Sequence, residues 1–466
     1  RYGTSNIMQS TVAPCLALAA QHMPPAVFNI YKKPLLLHQG HMQWLYDHEG
    51  QRYLDLIGSI VTISVGHCHP KVVNALQEQV STLWHTTTLY RYPKMYEYIE
   101  KLAETFPGDL KVVYLVNSGS DANDLAVLLA RSYTGNHDVI SLQGCYHGTT
   151  SGLQGLTSTR DYRMPLQPPA GFFHAMLPDP LRGLWGGSRD SLSQVSGTSS
   201  CVDDCPSSDK YVHQLDELIE GSMPTGRVAA FFAESIQGVN GCVQFPKGYL
   251  RKAHKLIKKY GGLFVADEVQ TGFGRTGDNF WCFESHGVTP DIVTMAKGIG
   301  NGFPMAAVVT TKEIAAAHTK ASYFNTFGGN PLAAATGLAV LNVIEEEQLQ
   351  KNSKEVGKYF IEQLMQLQKV HPVIGDVRGK GLMLGLEFVI PGTKEPLDSA
   401  VVIAIQEAVK GFGILIGVGG RWDNVLRIKP PMCVTKEDVD FSIWALDKAI
   451  KNVCTLSQNN NYKFLS

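Results

Sequence analysis

Two residues of this chain could act in covalent amine chemistry, an acid and a lysine that each follow an apolar run. Asp267 ends the run Leu263–Ala266, and Lys297 follows the run Asp291–Ala296, with glycines at positions 298, 300 and 302. A lysine in a dry, glycine-rich loop has a lowered pKa and becomes nucleophilic. A carboxylate beside a pyridine nitrogen keeps that nitrogen protonated, so that the ring can take up electrons. The pair therefore predicts pyridoxal phosphate (PLP) chemistry, with Lys297 forming the Schiff base and Asp267 facing the ring nitrogen.

A second candidate site is the small-residue loop at 117–123, which follows the predicted strand Val112–Val116 and precedes a predicted helix. A strand, a loop and a helix in this order direct backbone N–H groups and a helix N-terminus toward a phosphate. Gly119 permits close backbone approach, and the hydroxyls of Ser118 and Ser120 can cap the helix or donate to an anion. The same residues also fit a serine-rich helix cap that binds nothing, and the loop alone does not decide between the two.

Further polar and aromatic residues follow two other predicted strands. Tyr146 and His147 come after the strand Asp138–Leu142 and suit stacking over a flat cofactor ring. Such residues are also common in a core or at the rim of a pocket. The strand Val228–Glu234 ends on an acid. We include all three side chains among the candidate site residues.

The elements that must position these residues alternate between strands and helices from about residue 110 to residue 310. This pattern predicts an α/β fold with a mostly parallel sheet, helices on both faces and a site at the carboxyl ends of the strands. Asp267, Glu234 and Lys297 all fall at such ends, as does the loop at 117–123. Each residue alone has a common structural explanation, a strand cap or a surface lysine. Their convergence at one edge indicates a single site.

The last third of the chain alternates shorter strands and helices, which predicts a smaller α+β unit. An aromatic hairpin at 44–57 is expected to pack with it, so that the small domain is built from both chain ends. We expect an N-terminal segment at 1–64 that contributes to the small domain, a large PLP-binding domain at 65–345 and a C-terminal small domain at 346–466.

The composition argues against several classes of protein. The chain has 466 residues, and 41 basic against 42 acidic residues give a formal net charge of −1. This balance offers no basic excess for nucleic acid or an anionic membrane, and no apolar run is long enough to span a bilayer. The 9 cysteines are too sparse for a disulfide scaffold and favour a reducing interior. The absence of acids before Asp47 is weakly compatible with an organelle transit segment.

Cysteines occur in two places that invite a metal interpretation, the run His67-Cys68-His69 and the pair Cys201 and Cys205. Neither place has further ligands at zinc-type spacing, so we expect no metal site. The cysteine pair lies in a Gly, Ser, Asp and Pro-rich stretch from about residue 178 to 210. We interpret this stretch as a surface insertion with little regular structure, and a redox pairing of the two cysteines is the alternative.

Several motifs resemble the class III PLP-dependent aminotransferases, in order and at suitable spacing, from about Pro34 to the final predicted helix. They are SGSDAN at 118–123, YHG at 146–148, AESIQG at 233–238, DEVQTGFGRTG at 267–277, MAKGIGNGFP at 295–304 and FNTFGGNP at 324–331. Within the family, GHCHP at 66–70, WGGS at 185–188 and DVRGKGLM at 376–383 look most similar to the mitochondrial alanine–glyoxylate aminotransferases. A sister group of ethanolamine-phosphate phospho-lyases shares most of these motifs. The resemblance implies PLP fold type I.

The resemblance implies a role for each matching residue. Lys297 would carry PLP, and Asp267 would pair with the ring nitrogen. The other implied contacts are with the phosphate (Gly119, Ser120 and, from the partner subunit, Thr326), with the ring (Tyr146 beside His147, and Val269 and Gln270 on the other side) and with the substrate carboxylate (Arg427, which Glu234 can neutralise). Ile60 stands where related ornithine and GABA enzymes carry bulkier or polar gate residues, which implies a small, apolar substrate pocket.

The resemblance further implies a transaminase that moves an amino group from alanine or a similar small amino acid to glyoxylate or pyruvate. Such an enzyme would be a homodimer or tetramer in the mitochondrion. One alternative is a PLP-dependent phospho-lyase acting on ethanolamine phosphate or a similar phosphorylated amine. Another is a non-catalytic scaffold, against which the intact Lys297, Asp267 and Arg427 argue. Two residues depart from the family pattern, Asp121 in place of glutamate and Ser235 in place of proline, and the second removes a backbone constraint beside Glu234.

Overall fold

The computed structural model describes residues 12–27, 29–186 and 205–458. The strands in these ranges are β1 (Leu37–His41), β2 (Trp44–Asp47), β3 (Arg52–Asp55), β4 (Val112–Val116), β5 (Val139–Leu142), β6 (Phe172–Ala175), β7 (Ala230–Glu234), β8 (Leu263–Asp267), β9 (Ile292–Met295), β10 (Ala306–Thr310), β11 (Ile374–Lys380), β12 (Met383–Phe388), β13 (Ile414–Leu415), β14 (Gly417–Gly419) and β15 (Val425–Ile428). The α-helices are α1 (Val12–His22), α2 (Gly58–Val61), α3 (Pro70–Thr82), α4 (Pro93–Glu104), α5 (Gly119–Thr134), α6 (Pro206–Ser222), α7 (Tyr249–Lys259), α8 (Lys312–Ala316), α9 (Pro331–Glu346), α10 (Leu349–Val370), α11 (Ser399–Gly411) and α12 (Lys436–Gln458).

The largest sheet has seven strands in the order β4-β10-β9-β8-β7-β5-β6. Strands β9, β8, β7, β5 and β6 run parallel to one another, whereas β10 is antiparallel to both of its neighbours. Every residue of β7, β8 and β9 is buried, because helices cover both faces of such a sheet. These strands are therefore nearly continuous apolar runs in the sequence. The predicted α/β fold with a mostly parallel sheet is confirmed.

Two smaller four-stranded sheets accompany the large one, and the first of them draws on both chain ends. One has the order β1-β2-β3-β13, so that a strand from the last third of the chain pairs with the N-terminal hairpin. The other, with the order β11-β12-β15-β14, is antiparallel throughout. The predicted small α+β unit assembled from the two ends is therefore confirmed, while the boundaries at residues 64 and 345 stay a prediction.

Residues 119–123, predicted to be part of a loop, form the first turn of α5, which begins at the carboxyl edge of the large sheet. The hydroxyl of Ser118 caps the helix by accepting a hydrogen bond from the Asp121 N–H at 3.1 Å. Gly135 ends the helix in the left-handed conformation, with a φ of 69°. The helix N-terminus, which carries partial positive charge, thus lies beside the end of β4.

The stretch predicted to be an insertion contains more structure than expected at its end. Helix α6 begins at Pro206, and Cys205, which precedes it, is only 4% exposed rather than at the surface. Residues 187–204, and with them Cys201 and the end of the WGGS motif, lie outside the described residues. The sequence offered no apolar periodicity before Pro206 from which the helix start could be recognised.

The two histidines of the run at 67–69 form separate pairs in the fold. His67 Nε2 lies 2.8 Å from Asp55 Oδ2, and His69 Nε2 lies 3.2 Å from Glu347 Oε2. Within the described ranges, no group of three or more His, Cys, Asp or Glu side chains is placed to hold a metal ion. In that same part of the chain, no helix combines the length and apolar character that a membrane span requires.

Candidate active site

A cavity of about 280 Å³ lies at the carboxyl ends of β7, β8 and β9. Neighbouring parallel strands end at the same edge, and Glu234 is directly paired with Asp267 in the register of β7 and β8. Lys297 follows the next strand, β9, after a single intervening residue, Ala296. Of the predicted site residues, the cavity brings together Gly119, Ser120, Tyr146, His147, Glu234, Asp267, Val269, Gln270 and Lys297.

Asp267 is held by three hydrogen-bond donors at the end of β8. Its Oδ2 accepts from His147 Nδ1 at 2.7 Å and from Asn123 Nδ2 at 2.9 Å, and its Oδ1 accepts from the Val269 N–H at 3.0 Å. Burial alone would raise the pKa of Asp267, but the hydrogen bonds and the charge of His147 outweigh it and lower that pKa below its usual value. Asp267 is therefore a buried carboxylate that remains ionised.

His147 lies behind Asp267 and is only 1% exposed. Burial would lower the pKa of its imidazole, but the neighbouring Cys145 and Asp267 outweigh burial and hold that pKa well above its usual value. The Asp267–His147 pair is thus ionic in this structure. His147 orients Asp267 through this contact and also lines the cavity, so its predicted contact with the cofactor stays a prediction.

Lys297 begins a short 3-10 helix and adopts a φ of 52°, in the left-handed region that side chains rarely occupy. Burial lowers the pKa of Lys297 below its usual value, and Arg427 lowers it further, while Asp267 and Glu234 oppose the shift. A lowered pKa increases the fraction of neutral amine, which is the nucleophilic form.

Two glycines leave room on the phosphate side of the cavity. A Cβ at Gly119 would lie 3.3 Å from Val269 Cγ1, and one at Gly148 would lie 2.5 Å from Ser120 Oγ. The backbone at 119 and 148 therefore approaches neighbours that any side chain would displace. The cavity fits the donors and the shape that PLP needs. It offers two glycines without side chains, the N-terminus of α5, the ionised Asp267 and the buried amine of Lys297.

Tyr146 lines the cavity beside Tyr162, and their ring centroids are 4.9 Å apart at an interplanar angle of 69°. This edge-on contact fixes the orientation of the Tyr146 ring. Val269, which follows Asp267 at the end of β8, lines the same cavity and packs over Gly119.

Glu234 and Arg427 do not form an ion pair in this structure. The carboxylate of Glu234 accepts from the Gly238 N–H at 2.8 Å and from the Tyr146 N–H at 3.3 Å, and burial raises its pKa. The Arg427 guanidinium instead donates from Nε and Nη2 to the Val418 carbonyl, at 3.1 and 2.8 Å. Arg427 still lies close enough to Lys297 to influence its pKa.

Thr326 and Ile60 do not line this cavity. Thr326 is exposed, in a loop that is tied to the neighbouring Asn117 through Asn325. Ile60 is 49% exposed and has a φ of 59°, within a left-handed turn that also includes Gly58 and Val61. Thr326 thus lies in an exposed loop, and Ile60 lies in the left-handed turn that the four residues of α2 form.

Sequence reasoning missed two functional candidates, Asn123 and Lys429. Asn123 is 1% exposed and donates from Nδ2 to both Asp267 Oδ2 and the His147 carbonyl. Its signal was an amide on the buried face of an otherwise Ala and Leu-rich helix. Lys429 is 3% exposed and donates to Gln270. The sequence feature that could have indicated it is a lysine two positions after Arg427, directly behind an apolar strand.

Comparison with known proteins agrees with this geometry. The family model described as Aminotransferase class-III matches residues 29–450. The human protein named alanine–glyoxylate aminotransferase 2, mitochondrial, is 51% identical over 440 residues, which are 93% of this chain and 85% of that protein. The Arabidopsis thaliana protein named alanine–glyoxylate aminotransferase 2 homolog 2, mitochondrial, is 45% identical over 438 residues, 94% of this chain and 87% of that protein.

Solved structures of similar fold cover nearly the whole chain. A Bacillus anthracis aminotransferase aligns with a TM-score of 0.86 and 29% identity over 96% of this chain and 100% of its own. A phospholyase from Arthrobacter, solved in complex with phosphoethanolamine, aligns with a TM-score of 0.84 and 32% identity over 94% of this chain and 99% of its own. By its sequence and its fold, the chain belongs to the class III aminotransferases, which are PLP-dependent enzymes of fold type I.

Proposed function

We propose that this aminotransferase moves the amino group of alanine or a similarly small amino acid to glyoxylate or pyruvate. One observation carries the proposal: a buried lysine, Lys297, shares its cavity with the ionised Asp267 in a chain 51% identical to a protein named for alanine and glyoxylate. An amino acid and a keto acid are the substrate classes of an aminotransferase.

PLP, when bound, supplies an aldehyde that condenses with amines and a ring that takes up the electron pair released at the substrate α-carbon. Asp267 would keep a proton on the ring nitrogen, because its own low pKa makes it an anion. His147 and Asn123 hold Oδ2 of Asp267 in place and the Val269 N–H holds Oδ1, so that little reorganisation is needed during the reaction. Tyr146 and Val269 would confine the ring from its two sides.

Gly119, Ser120 and the N-terminus of α5 would hold the phosphate. The bare backbone at Gly119 and the positive end of the helix both favour an anion at this place. Gly148 leaves space for the Ser120 hydroxyl, which would otherwise be displaced. Anchoring the phosphate fixes the cofactor relative to Lys297 and thus serves orientation.

Lys297 would first hold the cofactor and then move a proton. When it is not bonded to the cofactor, its neutral Nζ would serve as the base that takes the proton from the substrate α-carbon and gives a proton back during amino-group transfer. Arg427 would bind the donor carboxylate through the N–H groups that the Val418 carbonyl leaves free. Fixing that carboxylate decides which substrate bond is weakened.

The test is the variant Lys297→Ala, assayed for alanine-dependent glycine formation from glyoxylate and for visible absorbance of the bound cofactor. We expect both signals to disappear, because no other group in the cavity can replace the amine. Lys380→Ala is the matched control, since Lys380 is a partly buried lysine that pairs with Asp278 and does not line the cavity. Turnover equal to that of the parent in the Lys297 variant would refute the proposal.

A phospho-lyase activity is the second candidate, and the Arthrobacter structure at 32% identity favours it specifically. Product analysis separates the two reactions. Release of inorganic phosphate from phosphoethanolamine, without glycine formation from alanine and glyoxylate, would replace the transaminase proposal by the lyase. Glycine formation without phosphate release supports amino-group transfer.

We also propose that the active site is completed in a homodimer or a homotetramer. Several large apolar side chains on neighbouring loops are exposed: Trp84, Leu89, Tyr90, Phe324 and Phe327. The ring centroids of His85 and Phe327 are 5.5 Å apart, so the two loops form one continuous surface. An apolar surface of this kind indicates a protein interface, and Thr326 lies within it. A Trp84→Glu and Phe327→Glu monomer should lose PLP, and tight PLP retention by a monomer would contradict the proposal.

We propose a mitochondrial location for this enzyme, because both alanine–glyoxylate relatives described above are named mitochondrial. Fractionation of cells that express the full-length protein with a C-terminal tag would place it in the mitochondrial fraction. Its recovery with soluble cytosolic markers alone would contradict the proposal.

A further inference from the structure

Lys429 is a buried cation that the proposed mechanism does not use. It directly follows β15 and is only 3% exposed. Its Nζ donates to Gln270 Oε1 at 2.9 Å and to the Gly238 carbonyl at 3.0 Å. Within the described ranges, no carboxylate pairs with it. Burial of an ammonium group that only two neutral oxygens accept from costs folding free energy. This cost indicates that Lys429 has a role at the cavity, which its partner Gln270 lines.

The contact decides which end of the Gln270 amide faces the cavity. An ammonium group has three donors and no acceptor, so only the amide oxygen can face Lys429. The amide N–H₂ is then turned away from Lys429. Gly238 packs against the same amide, and a Cβ there would clash with Gln270 Oε1. The amide therefore sits between a bare glycine and a cation and has one favourable orientation.

We propose that Lys429 is a positioning residue for the cofactor: it holds Gln270 so that the amide presents a donor, not an acceptor, to an oxygen of the PLP ring. The inference rests on the PLP chemistry proposed above, but not on which amino donor or acceptor is used. Arg427 lies near the carboxyl end of β15 and Lys429 directly follows it, so one strand brings both cations close to Glu234 and Lys297.

The charged and titratable groups that face Lys429 are Arg427, Lys297, Glu234 and Cys242. The pKa of Lys429 is lowered to about 8, mainly by burial and also by Arg427 and Lys297, while Cys242 and Glu234 oppose the shift. Removal of one positive charge makes each remaining cation nearby easier to protonate. The absorbance of the bound cofactor, which depends on the protonation of the nitrogen at Lys297, reports this change directly.

The experiment is the holoenzyme of Lys429→Met, compared with the parent and with Lys380→Met. We expect the dissociation constant of PLP to rise about tenfold, because a misoriented Gln270 amide would no longer donate one hydrogen bond to the cofactor. We also expect the midpoint of the visible absorbance titration to shift upward by about half a pH unit or more. Lys429→Arg should restore the titration midpoint, because it restores the charge. A Lys429→Met enzyme whose PLP affinity and titration midpoint both match those of Lys380→Met would overturn the proposal.

A second pair of variants tests the same geometry with Lys429 intact, in case Lys429→Met does not fold. In Gln270→Glu the new carboxylate would face the ammonium, so the apoenzyme should be at least as stable as the parent, while PLP binding weakens because an acceptor now faces the cofactor. Gln270→Met should destabilise the apoenzyme, because it removes one of the two oxygens that hold the buried cation. Equal stability of the two variants would contradict the proposed contact. These readouts do not involve substrate, so a failure of alanine transfer would leave them unaffected.

Discussion

Replacement of Asp267 by asparagine should destabilise the apoenzyme, and the size and pH dependence of the loss follow from the structure. Asp267 is 3% exposed and His147 is 1% exposed, and their ion pair is 2.7 Å long. Removing one partner of a buried ion pair typically costs roughly 3–5 kcal/mol. His147 can relieve part of that cost by losing its proton, so we expect a loss of about 3 kcal/mol near pH 6.

The pH dependence distinguishes this pair from a simple packing defect. The raised pKa of His147 contributes stability that is complete below the ordinary imidazole pKa, about 6.5, and that is lost as the pH rises through the raised value. The lowered pKa of Asp267 contributes stability that is complete above the ordinary carboxyl pKa, about 4, and that is lost as the pH falls through the lowered value. The difference between parent and Asp267→Asn should thus be largest between about pH 4 and 6.5.

The assay is urea unfolding of the apoenzymes across this pH range. Asp447→Asn is the matched control, since Asp447 Oδ1 also lies 2.8 Å from a histidine, His371, but is partly exposed and outside the cavity. That control should lose at most about 1 kcal/mol and should keep its PLP affinity. Equal stability of Asp267→Asn and the parent at every pH would refute the assignment of an ionic Asp267–His147 pair.

Three further substitutions test single contacts. Asn123→Ala removes two buried hydrogen bonds, one to Asp267 Oδ2, which keeps only His147 as a donor, and one to the His147 carbonyl, and it should cost about 1–3 kcal/mol in apoenzyme unfolding. An unchanged urea midpoint would contradict these two contacts. Gly148→Ala should weaken PLP binding about tenfold, because the φ of Gly148 is 121° and the new Cβ would lie 2.5 Å from Ser120 Oγ. A fluorescence titration with PLP measures the affinity, and an affinity equal to that of the parent would refute the prediction. Gly58→Ala should lower stability by about 1–2 kcal/mol, because its φ is 58° and the Cβ would lie 2.8 Å from the Lys429 carbonyl; a scanning-calorimetry transition at the parent temperature would rule this strain out.

The central strands could be predicted from the sequence because burial on both faces leaves a simple signal. The run at 112–116 is a strand with the predicted ends, and Ile292–Met295 lies within the predicted run at 291–296. Strand β10 was not predicted, although its five residues are all buried. Its run follows the glycine-rich segment after Lys297 without a helix between, and its antiparallel direction depends on pairing with β4 and β9 rather than on local residues.

The candidate site was predictable where residues stand at strand ends, and not where contacts join distant parts of the chain. Asp267 and Lys297 follow apolar runs that end at one edge, so the topology alone brings them near each other. The contact of His147 with Asp267 spans 120 positions, and that of Lys429 with Gln270 spans 159. Such a pairing depends on how the sheets pack, and a single sequence contains no local signal for it.

The opposite charges of the site come from different sheets, and this explains why the segment after β7 is tightly held. The acids Asp267 and Glu234 end strands of the large sheet, whereas Arg427 lies in β15 of a small antiparallel sheet and Lys429 directly follows that strand. Several bonds join that small sheet and its flanking residues to residues 238–244, among them Lys429 Nζ to the Gly238 carbonyl at 3.0 Å, Arg378 Nε to the Gly241 carbonyl at 2.6 Å, and the Gly379 N–H to Gln244 Oε1 at 2.9 Å.

The position of the cations relative to the acids is therefore set in part by this connecting segment. A shift of the small sheet would move the groups proposed to bind the substrate carboxylate while the Asp267–His147 pair stayed in place. Because Lys429 contacts both this segment and Gln270, it links the substrate side of the cavity to the cofactor side. The buried cation thus has a geometric reason to remain in the fold despite its cost, since a neutral residue of the same length could fill the space but could not fix the polarity of the Gln270 amide.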